Sequence, residues 1–93
     1  MCPGHGYIGA VESTERAQQY VQASLDQLNA EIAAKGLDVK KVSVQLGIDY
    51  NTFRRYMNGE RPLPMHTFWQ TLSELGIDEG TFVRRVRERL LAD

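Results

Sequence analysis

Cysteine is almost missing from this chain: Cys2 is the single one, so no disulfide can form within it and nothing in its thiol content suggests a secreted, cross-linked scaffold. No apolar run approaches the roughly 18 residues that a membrane span needs. Met1 to Ala10 has neither the basic start nor the apolar stretch of a secretory leader, so a cytoplasmic location without a membrane partner is expected. The alternation of apolar and polar residues that marks a half-buried strand is absent, and so is any internal repeat. Proline is confined to Pro3, Pro62 and Pro64, which leaves the intervening chain free of strong helix breakers. Also lacking are the groupings an enzyme requires. There is no serine, cysteine and histidine constellation, no phosphate-cradling glycine loop and no paired carboxylates in a plausible cleft. Neither an enzyme nor a cofactor is expected.

An excess of charge is missing too, since the net charge is −1, yet its distribution is uneven. Residues 1–38 hold two basic against five acidic side chains, net −3, whereas 39–61 hold five basic against two acidic, net +3. Local patches matter more than the total, because salt screens each charge beyond about 8 Å.

What is present reads as helices within one domain, a size at which a single modest core is marginally stable. Residues 1–12, with Gly4, Gly6, Gly9 and Pro3, read as a flexible tail. Cys2 and His5 stand three apart in it, but two ligands are too few for a metal site. The domain proper is 13–93. A first helix starts near Ser13 or Thr14, either of which can cap it, and Gly36 stops it. Ala17, Val21, Leu25, Leu28 and Ile32 form its apolar stripe, widened by Tyr20. At about 20 residues it is long for so small a domain. Its N-terminal half either packs on its own domain or extends past the core towards a partner subunit.

Four shorter helices follow. Asp38 caps one that runs to about Leu46, and Asp49 caps another from Tyr50 to about Met57, ended by Asn58-Gly59. Pro64 suits the first turn of a fourth, which buries Met65, Phe68, Trp69, Leu72 and Leu75. Asp78 or Thr81 caps a fifth, which buries Phe82, Val83, Val86 and Leu90. Together with Leu91 these are more apolar than a minimal domain requires, which leaves room for a dimer seam. Arg84, Arg85, Arg87 and Arg89 on the same helix read as a solvated face partly neutralised by nearby Glu79 and Glu88.

The connection Leu46-Gly47-Ile48-Asp49 is so short that the two helices it joins must cross steeply, as in a helix-turn-helix unit. Val42, Leu46, Ile48, Phe53 and Tyr56 can all face one core, Ser43 is small where the helices approach, and Gly47 can take the positive φ of the turn. On these residues, with Gly59, the Pro62/Pro64 loop and the Leu75-Gly76 pair, the chain resembles the Cro/cI-like (XRE-type) helix-turn-helix family over about Leu28 to Leu90. The family often has glutamine where Val39 stands, and Lys40 and Lys41 beside it offer the phosphate contact instead.

The resemblance implies an all-α, compact five-helix domain of the lambda-repressor-like type. It also implies sequence-specific binding of double-stranded DNA by a transcriptional regulator, a repressor of phage or bacterial type. The base-contacting candidates are Tyr50, Asn51, Thr52, Arg54 and Arg55: Asn51 can pair bidentately with adenine, and Arg54 or Arg55 with guanine. The phosphate-contacting candidates are Lys40, Lys41, Asn58, Gly59 and Arg61, with His66 a weaker one. A homodimer would match a near-palindromic operator. The competing readings are a protein-protein interaction module that keeps the fold and an antitoxin.

Overall fold

In a computed structural model, residues 3–92 have described backbone and side chains are described from Ser13 onward. Five helices follow one another: α1 (Pro3–Ala34), α2 (Val39–Leu46), α3 (Tyr50–Met57), α4 (Met65–Leu75) and α5 (Glu79–Ala92). Among the described residues there is no strand, and no helix is long and apolar enough to cross a membrane. The helix α1 begins at Pro3, upstream of the start expected at Ser13 or Thr14. Proline suits a first turn, where its missing N–H has no helical partner to lose, and no proline follows before Pro62. The backbone of 3–12, expected as part of a flexible tail, belongs to α1, while residues 1 and 2 and the side chains of 3–12, Cys2 and His5 among them, lie outside the described ones.

The short helices start where carboxylates can cap them. Asp38 accepts from the Lys41 N–H at 2.8 Å, Asp49 from the Thr52 N–H at 3.2 Å, and Asp78 from the Thr81 N–H at 3.0 Å. Each satisfies a donor that the first turn leaves open, worth about 1 kcal/mol. Pro64 stands just before α4 as its cap residue, without a side-chain bond.

The core lies where the C-terminal half of α1 meets the other four helices. Leu28, Ile32, Val42, Phe53, Leu72 and Phe82 are all sealed from solvent at its centre. Each such side chain contributes about 1.5–3 kcal/mol by leaving water. Leu37, Leu46, Ile48, Tyr56 and Phe68 pack round them half-buried. Phe68 meets Phe82 edge to face with ring centroids 5.5 Å apart.

The apolar periodicity needs correction in α4 and α5. Met65 and Trp69 lie outside, 69% and 44% exposed, while Thr67 and Thr71 are buried. The inward row of α4 is Thr67, Thr71, Leu72 and Leu75, and Met65 and Trp69 lie past its Leu72 edge, a third to nearly half a turn from Thr67 and Thr71. Burying Thr71 is tolerated because its hydroxyl donates to the Thr67 carbonyl at 2.7 Å. In α5, Phe82 and Val86 are four apart and face inward, whereas Val83 is half-exposed, one residue round the helix. The seam expected from α5 is therefore mostly core: of its apolar residues, Val83 and Leu91 remain outside.

Along α1 burial changes abruptly. Residues 13–22 are all exposed, including Ala17, Tyr20 and Val21 of the expected stripe; from Ala23 onward the stripe is covered. A helix of this length measures about 48 Å, and the molecule is 52 Å along its longest axis but 25 and 20 Å across. The N-terminal half of α1 projects past the body.

A polar seam holds α5 against α1. Arg89 Nε donates to Gln27 Oε1, Gln27 Nε2 to Glu31 Oε2, and Arg85 pairs with Glu31, each at 2.6 Å. Burial of Glu31 opposes its charge, but the hydrogen bonds from Arg85 and Gln27, then the charges of Arg85 and Lys35, outweigh that and hold its carboxyl below the ordinary value of 4.5. The local pairing expected between the α5 arginines and Glu79 or Glu88 is replaced for Arg85 by this contact with α1.

Candidate nucleic-acid interface

The α2–α3 unit is built by its turn. Gly47 takes φ 71° and ψ 28°, the left-handed conformation in which a Cβ would be strained, and its N–H donates to the Val44 carbonyl at 3.1 Å. The next N–H, of Ile48, donates to Ser43 O at 3.0 Å, so α2 is closed off within two residues. Asp49 then starts α3 at once. Ser43 is buried in this unit, with its hydroxyl satisfied by the Lys40 carbonyl at 2.6 Å.

One side of α3 is anchored. Phe53 and Met57 are buried, and Tyr56 packs half-buried beside them. Met57, expected only as a helix end, is a core residue because it lies one turn after Phe53. Asn29 of α1 donates from its amide to the Met57 carbonyl at 3.3 Å and to the Leu25 carbonyl at 3.0 Å, fixing the C-terminal end of α3 on α1. Asn29 escapes a reading of apolar periodicity because what it contributes is a hydrogen bond to a carbonyl 28 positions away.

The opposite side carries the candidates. Asn51 and Arg55 are exposed one helical turn apart, with Thr52 and Arg54 half-buried on either flank. Tyr50 lies between the two faces, 40% exposed. Beyond α3, Asn58, Gly59 and Arg61 are all exposed, and Gly59 has φ 78°. Asn58 is not free: its amide donates to Glu60 Oε2 at 3.3 Å, which brings a carboxylate next to a position expected to meet phosphate. Lys40 and Lys41 are exposed at the start of α2, and with them Val44, an apolar side chain 74% exposed that periodicity alone would have placed indifferently. His66 is exposed in the first turn of α4.

The electrostatics of this face are simple. Among the described residues the one ion pair within 4.0 Å is Arg85 with Glu31. Among the described residues, Lys40, Lys41, Arg54, Arg55 and Arg61 have no acidic side chain within that distance. The three nearest acids in sequence are engaged, Asp38 by the Lys41 N–H, Asp49 by the Thr52 N–H and Glu60 by the Asn58 amide. The chain matches no family model, no curated protein and no solved structure.

Proposed function

We propose that α2 and α3 form a helix-turn-helix of the Cro/cI-like kind and that the protein binds double-stranded DNA sequence-specifically as a transcriptional regulator, a repressor in the simplest case. The observation that carries this reading is the solvent face of α2–α3. Lys40, Lys41, Arg54 and Arg61, with no acidic partner among the described residues, share α2, α3 and the loop after them with an exposed Asn51 and Arg55, on a helix whose other side is anchored by Phe53 and Met57. A helix held this way can enter the major groove without rearranging. Its amide and guanidinium groups have the donor and acceptor geometry for adenine and guanine edges. Asn51 and Arg55 read bases, Tyr50 and Thr52 reach a thymine methyl or a phosphate, and Arg54 lies nearer the backbone. Lys40, Lys41 and Arg61 take phosphates, as do the N–H groups around Gly59, and these set register rather than sequence.

The test is selection from a randomised duplex pool, with Arg55→Ala run beside the wild type. An enriched site that Arg55→Ala relaxes at one base supports the reading and places that arginine on a guanine. No enrichment at low salt from folded protein refutes it and favours a protein-interaction module. If about four phosphates are neutralised per chain, log K falls with log salt at a slope near −4.

A further inference from the structure

The projecting half of α1 and a groove beside it lie on the same side of that helix. The groove, of about 320 Å³, runs along α1 from Tyr20 to Leu28 and is walled on the other side by the chain from Pro62 to Phe68. None of its nine lining residues is charged, whereas four further grooves among the described residues each have at least two charged side chains in the wall. Leu25 and Leu28 form its floor, Val21 and Met65 stand exposed at its rim, and Trp69 packs edge-on against Phe68 at its side with centroids 5.0 Å apart. The arm shares this character. Between Ser13 and Leu28 the charged residues are Glu15, Arg16 and Asp26, and helical geometry puts all three on the side of α1 away from Val21. The side facing with Val21 carries Thr14, Ala17, Gln18, Ser24 and Leu25, which is uncharged and mostly small.

We infer that two copies of the chain pair through an antiparallel crossing of their α1 helices at Val21, each seating the Ser13–Tyr20 arm in the other's groove. The register follows from the two-fold axis. A crossing centred on Val21 sets Ala17 opposite the partner's Leu25 and Thr14 opposite the partner's Leu28, so small side chains lie over the leucines that floor the groove. The same axis makes the contact reciprocal. One arm in one groove is a small contact, and the two-fold axis doubles it towards the roughly 800 Å² per partner typical of a stable association. An uncharged face also meets its own copy without repulsion. The outward side of α5 offers no such match, because its exposed Val83 and Leu91 are interspersed with Arg84 and Arg87.

Sedimentation velocity on the full chain without DNA tests this, so its outcome is separate from that of the DNA reading. Wild type should run at twice the 10.6 kDa monomer mass. Val21→Glu, at a side chain 60% exposed in the single copy, should keep its helical circular dichroism. It should weaken dimerisation by about 100-fold or more, the consequence of seating a carboxylate in an apolar groove. Ala17→Glu damages only the arm and Met65→Glu only the groove, and each alone should give monomers. Their mixture retains one undamaged arm facing one undamaged groove and should form a heterodimer. Wild type that stays monomeric to high micromolar concentration overturns the inference. So does Val21→Glu dimerising like wild type, or a mixture of the two variants that remains monomeric.

Discussion

Two groups of arginines divide this small protein. On α5, Arg85 and Arg89 reach across to Glu31 and Gln27 of α1 and close a polar seam between helices. Near α3, Arg54, Arg55 and Arg61 have no acid within ion-pairing distance among the described residues. The residue type is the same, yet two of the α5 arginines hold the fold together, whereas Arg84 and Arg87 of that helix and the three near α3 have no acidic partner among the described residues. Counting cations along the sequence favours α5, which has the denser run. Pairing lowers that count by one, because Arg85 is neutralised by the buried Glu31 and has little field left to attract phosphate, while Arg89 is held in place by the neutral Gln27.

Four substitutions or conditions would break or sharpen this contrast. The largest effect is expected from Phe53→Ala, which empties the fully buried anchor of α3 and should cost about 3–5 kcal/mol in urea unfolding. Loss of DNA binding would follow from loss of the fold, and an unchanged urea midpoint would show that α3 is not held as described. Next comes Arg55→Ala. It should cost about 1–3 kcal/mol of discrimination at one base pair in competition binding while leaving the urea midpoint in place. The mirror case is Glu31→Ala, which should lower stability by about 1–2 kcal/mol and leave the DNA selectivity of the folded protein intact; a change in base preference would contradict the separation of the two groups.

The smallest effect concerns pH. The Glu31 carboxyl is held below 4.5 in the folded protein, so at acid pH the unfolded chain binds more protons than the folded one. Its contribution is fully present above about 4.5 and is lost as pH falls through the lower folded value. A urea midpoint that declines on acidification below 4.5 in wild type, and declines less in Glu31→Gln, is the expected result. Equal declines would show that other carboxylates carry the acid sensitivity.

Much of the fold was legible locally. Asp38, Asp49 and Asp78 announce helix starts, because the carboxylate of each reaches only three residues forward. Gly47 announces the turn because few other residues tolerate its φ. The exposed face of α3 was equally readable: Asn51 and Arg55 fall opposite Phe53 for any helix through them. The placement of Met65, Trp69 and Val83 was not. Apolar side chains mark a stripe, and which edge of a wide stripe is covered depends on where a neighbouring helix crosses.

The sequence by itself determined where α2 to α5 begin and end, where α1 stops and which face of α3 is polar, since caps, turns and helical period act within a few residues. Only the tertiary structure decided which arginines are consumed and which remain. Arg85 finds its partner 54 positions away and Arg89 finds its own 62 away, distances at which chain proximity carries no information. It likewise decided that α1 outruns its own core, because the length of a helix is written locally but the width of the body it packs against depends on how the other four helices assemble.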